Sequence, residues 1–344
     1  MTAQLYWRDI ESRQGRWVGL GVQVEGEARK PKLHLLTGNN WRMQLMLGAT
    51  PLFWATMAGH CDGVWLIRNA QAAEALQLLP SISSAEVEQH QALAPDVRLK
   101  AWSRHFVSQL HSLQTDFFYP GYWIARGLLP DPDNIRGIER NGVAAWSFAS
   151  IDDTSSHLPG WRLRGRALAD DLAVEPVHWI NWWSHDSNLL RLRRVDPTAG
   201  RLKWWRKKAR EGSLPPILLW FVGGLSAYVV LDGHYRLQAA IEENRPPQFI
   251  VLSSTHIQPV QPDPDWQQQV LETLRRQIDK YPNFDPASMN DVLIHAFDDR
   301  PEHSPQTHTW VGIGSDQAWV DDVSRHLQAQ GETGHLQDII QRKA

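Results

Sequence analysis

The chain has 344 residues, 42% hydrophobic and 21% charged, enough apolar side chain for the cores of two or three domains and too much for a globally disordered polymer. Its single cysteine, Cys61, excludes a disulfide framework and any zinc site built on several thiolates. The formal charge of −3 hides a gradient: residues 1–184 carry 17 Lys+Arg against 18 Asp+Glu, residues 185–258 carry 11 against 6, and residues 259–344 carry 7 against 14.

A basic middle before an acidic tail marks either an anion-binding centre or a solvated face that pairs with the tail. The first fifteen residues mix charges of both signs and hold no apolar h-region, so a cytoplasmic protein is expected.

In the first region, Trp17–Val24, Lys32–Leu36 and Val64–Ile67 read as strands. Pro95-Asp96 opens a helix whose apolar positions Leu99, Trp102, Phe106, Leu110 and Leu113 follow a 3.6-residue period. From Asp131 to Gly160 the density of Asp, Gly, Ser and Pro predicts loops with short strands. Of the 18 tryptophans, 15 precede residue 221, and core or interface packing is their expected use rather than stacking on a ligand. His178 and His185 are spaced to share a helix face.

Arg191–Arg210 holds nine basic residues around Trp204-Trp205. A helix over Gly200–Glu211 would bury Leu202 and Trp205 and expose its lysines, and the stretch as a whole offers Arg194, Lys203, Trp204 and Arg206 as contacts for a nucleotide or a nucleic-acid strand. Gly212–Leu231 has no charged residue and is long enough for a membrane span. Pro215-Pro216 and Gly223-Gly224 instead predict two buried strands, Ile217–Val222 and Tyr228–Leu231, in a hairpin. No membrane partner is expected. A helix over Arg236–Glu243 and a strand over Phe249–Leu252 follow, and the 17 residues between Leu231 and Phe249 suffice for a crossover making those two strands parallel. The tail predicts a helix capped by Asp265 with Gln268 as capping-box partner, an apolar face of Trp266, Val270, Leu274 and Ile278, and a stop at Pro282. The acidic pairs Asp152-Asp153, Asp170-Asp171, Asp298-Asp299 and Asp321-Asp322 read as solvated loops or caps.

The chemistry concentrates in Tyr228-Val-Val-Leu-Asp-Gly-His-Tyr-Arg-Leu-Gln-Ala-Ala240, a strand that turns through Asp232-Gly233 into a helix. The first helical N–H groups lack intrahelical partners and favour an anion. Gly233 lets backbone approach an oxyanion, Arg236 can donate a bidentate pair to phosphate, and Asp232 can cap the helix or hold Mg²⁺. His234 can donate to phosphate or move a proton. The alternative is a plain capped helix start, with Arg236 in a surface salt bridge.

The run from Pro215-Pro216 through Asp232-Gly-His-Tyr-Arg-Leu-Gln-Ala-Ala240 to Phe249-Ile-Val-Leu252 resembles the core of the ParB/sulfiredoxin superfamily over roughly residues 190–255. The sulfiredoxin cysteine is replaced by His234, and the ParB glutamate likewise, so the turn is most similar to the Asp-Gly-His-His-Arg turn of the free-serine kinase branch, from which it departs at Tyr235. The resemblance implies that Gly233, His234, Tyr235 and Arg236 hold the phosphates of a nucleoside triphosphate such as ATP or CTP. It also implies that Asp232 and His234 are catalytic, that Asp232 approaches Mg²⁺, and that an earlier carboxylate, Asp196 or Glu211, serves as base. The expected fold is α+β: a Trp-rich mixed α/β region (1–185), a ParB/sulfiredoxin-like mixed-sheet core (186–258) and a mostly helical acidic tail (259–344) that packs back on it. The expected function is Mg²⁺-dependent nucleotide hydrolysis or phosphoryl transfer; the alternatives are a DNA-binding or nuclease module and a non-catalytic protein-interaction scaffold. A homo-oligomer is compatible with each.

Overall fold

The computed structural model describes residues 4–12, 14–74, 77–112, 117–131, 142–151, 157–171, 173–281 and 283–343. Leu113, the Asp152-Asp153 pair, Pro282 and much of the loop-rich 131–160 stretch lie outside these residues.

In chain order the strands are β1 (Gln4–Glu11), β2 (Trp17–Glu25), β3 (Leu33–Thr37), β4 (Arg42–Leu47), β5 (Thr50–Met57), β6 (Gly63–Arg68), β7 (Gly121–Pro130), β8 (Ser147–Ser150), β9 (Arg162–Arg164), β10 (Val177–Asn181), β11 (Leu189–Leu190), β12 (Ile217–Val222), β13 (Ala227–Asp232), β14 (Phe249–Gln258), β15 (Glu302–Gln306) and β16 (Thr309–Val311). The α-helices are α1 (Ala70–Ala73), α2 (Ser84–Gln91), α3 (Pro95–Ser112), α4 (Gly165–Asp170), α5 (Gly200–Arg210), α6 (His234–Glu242), α7 (Pro264–Lys280), α8 (Asn290–Ala296), α9 (Asp316–Gln330) and α10 (Leu336–Gln341). The protein is α+β.

A ten-stranded sheet runs β1-β2-β7-β14-β12-β13-β11, with β15 beside β14 and β8 and β9 beyond β7; a six-stranded sheet runs β10-β6-β5-β4-β3-β16. The larger sheet therefore draws on both the 1–185 and the 186–258 segments. Its central strands are covered on both faces, so they read as unbroken apolar runs rather than alternating ones. Leu218, Trp220, Val222, Val229 and Leu231 pack on one face with Trp102 and Phe106 of α3 and Leu202 and Trp205 of α5. Ile217, Leu219, Tyr228 and Val230 pack on the other with Trp146, Phe148, Trp161 and Leu237. That double burial explains why Gly212–Leu231 imitates a membrane span. Among the described residues no helix is long and apolar enough to cross a bilayer.

The smaller sheet uses its alternation differently. Phe53, Ala55, Val64 and Leu66 face the shared core, while Trp54, Trp65 and Ile67 face α9 and α10 through Trp319, Val323, Leu327 and Ile339. Nine of the 18 tryptophans are buried and six more are partly buried, in agreement with the packing role expected of them.

Several sequence expectations need correction. The strand after α6 does not lie beside β13: β14 pairs in parallel with β12 (Ile217 opposite Phe249), while β12 and β13 are antiparallel, so β13 and β14 run in opposite directions. The tail contributes strands to both sheets, β15 on β14 and β16 on β3, and α9 and α10 cover the smaller sheet rather than the 186–258 segment. Asp263, not Asp265, caps α7, with Pro264 at its first turn, and Gln268 donates to Glu272 instead of closing a capping box. Of the apolar face given to α7 only Val270 is buried. His178 lies on β10 and bonds the Ser187 carbonyl, while His185 sits in a left-handed turn at φ 53, so they share no helix. Asp171 is not solvated: it is buried between Arg68, at 2.5 Å, and Arg191, whose N–H donates to its Oδ2 at 2.7 Å. Asp298, also buried, receives two bonds from the Arg300 guanidinium.

Candidate functional site

β13 delivers Asp232 to the sheet edge, and Gly233, at φ 102, reverses the chain into α6. A side chain there is excluded twice over. The backbone is left-handed, and an added Cβ would meet the Arg236 guanidinium at 2.8 Å. The space below the glycine is thus occupied by Arg236 rather than left for an oxyanion. No side chain caps the helix, so the alternative of an Asp232 cap fails and the first N–H groups of α6 are left without a side-chain acceptor.

Arg236 is not on the surface. It is buried over the Trp205 ring, 5.5 Å from its centroid, and its Nη2 donates to Asp232 Oδ2 at 2.8 Å and to the Pro216 carbonyl at 3.0 Å. Its Nε has no hydrogen-bond partner among the described residues. His234 is 1% exposed, and neither of its ring nitrogens has a partner there either. Burial first, then the nearby Arg193, Arg191 and Arg236 cations, hold its pKa well below the ordinary value, so the imidazole is neutral at neutral pH. A neutral ring carries one donor and one acceptor, and both are left open here.

These groups line a cavity of about 280 Å³. Asp232, Gly233, His234, Tyr235 and Arg236 form one wall; Arg193, Arg201 and Trp205 a second; Gln77, Leu78, Leu79 and Ser81 close it from the segment before α2. Arg201 donates to Ser81 Oγ at 2.5 Å, which ties α5 to that segment. Arg193 Nε, like that of Arg236, lacks a partner among the described residues. Three guanidiniums, one carboxylate, a neutral histidine and a helix N-terminus make the cavity cationic.

The turn predicted from sequence is brought together: Asp232, Gly233, His234, Tyr235 and Arg236 all line the cavity. The four basic-stretch contacts are not. Arg194 and Lys203 are exposed away from it, Trp204 is half-buried against Trp205, and Arg206 reaches Glu243 of the α6 terminus at 2.5 Å. Neither proposed base is present. Asp196 is exposed and accepts from the Thr198 N–H and hydroxyl, and Glu211 pairs with Lys207 and Lys208. Arg193 and Arg201 are the residues that sequence reasoning passed over. Arg201 stands four residues before the buried Trp205, one turn away on the same helix face, and that spacing was the available signal.

The donor set suits an anion. For Mg²⁺ it offers one carboxylate, already paired with Arg236, and among the described residues no three His, Cys, Asp or Glu side chains gather to hold a metal. A magnesium ion here would take its remaining ligands from phosphate oxygens. Compared with family models, curated proteins and solved structures, the chain has no significant match.

Proposed function

We propose that the cavity at the β13–α6 turn binds a nucleotide through its phosphates. One observation carries this reading: a fully buried histidine whose two ring nitrogens have no partner among the described residues borders the cavity beside three arginines and a helix start that no side chain caps. An orphaned buried polar group is costly, so such groups suit a position where a ligand supplies their bonds. The succession strand, helix, hairpin, helix, strand from β11 to β14 is in keeping with a ParB/sulfiredoxin-like core.

Binding has more support than turnover. Arg193, Arg201 and Arg236 can neutralise charge on a transferring phosphoryl group. Among the described residues Asp232 is the only carboxylate lining the cavity, and its Oδ2 already accepts from Arg236. A DNA-binding reading draws less support, because Arg206 and Arg210 are engaged by Glu243, and Lys207 and Lys208 by Glu211.

A thermal-shift screen with ATP, CTP, GTP and ADP tests the reading, first in EDTA and then with Mg²⁺. Ligand at a hundred times its Kd stabilises by about 2.7 kcal/mol. At least one nucleotide is expected to raise the midpoint without Mg²⁺, and Arg193→Ala to cut the rise to about half or less. No shift with any nucleotide at millimolar concentration removes the reading.

A further inference from the structure

A second cavity, of about 740 Å³, opens at the other end of the β12–β13 hairpin. It lies on the seam between the two sheets. Leu35, Met43 and Met57 come from the smaller sheet, Val222 and the Gly223-Gly224 turn from the larger one, and Thr307 and Thr309 from the stretch where the tail crosses from one to the other. Its volume lies within the range of small-molecule pockets, and seams between structural units are a preferred place for them.

The lining specifies the ligand's chemistry. Among the described residues the one charged lining residue, Arg42, has four of its five N–H groups engaged. Its Nε donates to Asp316 at 3.0 Å, its Nη1 to Thr56 and the Ile339 carbonyl, and its Nη2 to the Ile340 carbonyl. A carboxylate or phosphate entering this cavity would meet a cation whose charge Asp316 already balances, with a single Nη2–H left to donate. The walls are apolar, and two methionines give them a surface that adapts to shape. The polar handles are hydroxyls: Thr309 accepts from Thr37 at 3.3 Å, and Thr307 accepts from the Gly223 N–H at 2.8 Å.

Two tryptophans add an aromatic surface. Trp182 is fixed by its Nε1–H bond to the Leu225 carbonyl at 2.8 Å. Trp41 is 64% exposed while bordering the cavity, and its backbone is left-handed, φ 56, directly after Asn40 at φ 54. A bulky residue with positive φ is a strained outlier, of the kind that clusters at ligand-holding positions.

We propose that this cavity is a second ligand site, taking a neutral, mostly apolar, ring-bearing small molecule whose polar atoms meet the threonine hydroxyls. It is independent of the nucleotide reading, since the two cavities share no residue.

The test is titration of the full chain with N-phenyl-1-naphthylamine, a neutral aromatic probe whose emission rises in apolar surroundings. The expected result is a saturable rise at one equivalent. Gly224→Leu, placing a side chain toward Met43, is expected to weaken binding at least tenfold. Trp41→Gly, which suits the left-handed backbone and so spares the fold, is expected to weaken it severalfold. Arg193→Ala, in the other cavity, should leave it unchanged. If circular dichroism shows that Gly224→Leu does not fold, Trp41→Gly decides alone. A rise that never saturates, or affinity unaltered in the folded cavity variants, overturns the proposal.

Discussion

Arg191 and Arg193 stand two residues apart on one segment and belong to opposite kinds of charge cluster. Arg191 joins Arg68 around buried Asp171, where carboxylate and carbonyl oxygens meet the guanidiniums: Arg68 Nε donates to the Arg191 carbonyl at 2.8 Å, and Arg191 Nη2 to the Asp171 carbonyl at 2.6 Å. Arg193 faces the cavity beside His234 and Arg236, where Nε atoms and both imidazole nitrogens lack acceptors or donors among the described residues. Burial alone therefore does not separate scaffold from site. Nor does an unpartnered Nε, which Arg191 has as well; the separation lies in the buried carboxylate that both guanidiniums of the first cluster share.

The contrast can be broken most directly at the two carboxylates. Asp171→Ala leaves two buried guanidiniums facing each other, and its expected cost in urea unfolding is about 3–5 kcal/mol, or no folded protein. Asp232→Ala is expected to cost clearly less, on the order of 1–2 kcal/mol, because that side chain is 21% exposed and Arg236 keeps its bond to the Pro216 carbonyl. Equal losses would erase the distinction.

Next in size is the effect on ligand. Arg193→Ala is expected to weaken nucleotide binding tenfold or more, about 1.4 kcal/mol, with little change in unfolding midpoint. His234→Leu sharpens the contrast further. Replacing an orphaned buried imidazole with an apolar side chain should leave stability unchanged or raise it by up to about 1 kcal/mol, while the nucleotide-induced shift disappears. Calorimetry on one preparation reads both quantities.

The smallest effect is in pH. His234 and His157 are both held neutral chiefly by burial, with His157 lowered to about 4. Below the ordinary value of 6.5 the unfolded chain binds protons that the folded chain refuses, so stability is full above pH 6.5 and declines as pH falls toward 4. Thermal midpoints between pH 7 and 5 should fall accordingly, less steeply in His234→Leu. A flat profile would mean that these rings are not neutral and buried.

The hairpin, α6 and their turn were legible because strong apolar runs and an Asp-Gly break are local signals. The partner of β14 was not, since a connection's length permits a crossover without naming the strand it lands on; here β12 took the place given to β13. The same limit hid Asp171, whose neighbours Arg68 and Arg191 lie far off in sequence, so that Asp170-Asp171 looked like any exposed acidic pair. Within Arg191–Arg210 the count of cations was visible and their directions were not. Arg206 and Arg210 turn to Glu243, and Arg193 and Arg201 turn to the cavity.

The way the tail threads both sheets bears on how this chain is born. β3 gains its outer neighbour only when Thr309–Val311 arrives, and Arg42 finds its acceptors at Ile339 and Ile340, almost three hundred positions later. On a ribosome the smaller sheet must therefore wait, with β3 bare at its edge, until residues 309–340 have been made. A stalled or shortened product would emerge with that edge uncovered, a target for chaperones before it could be a protein.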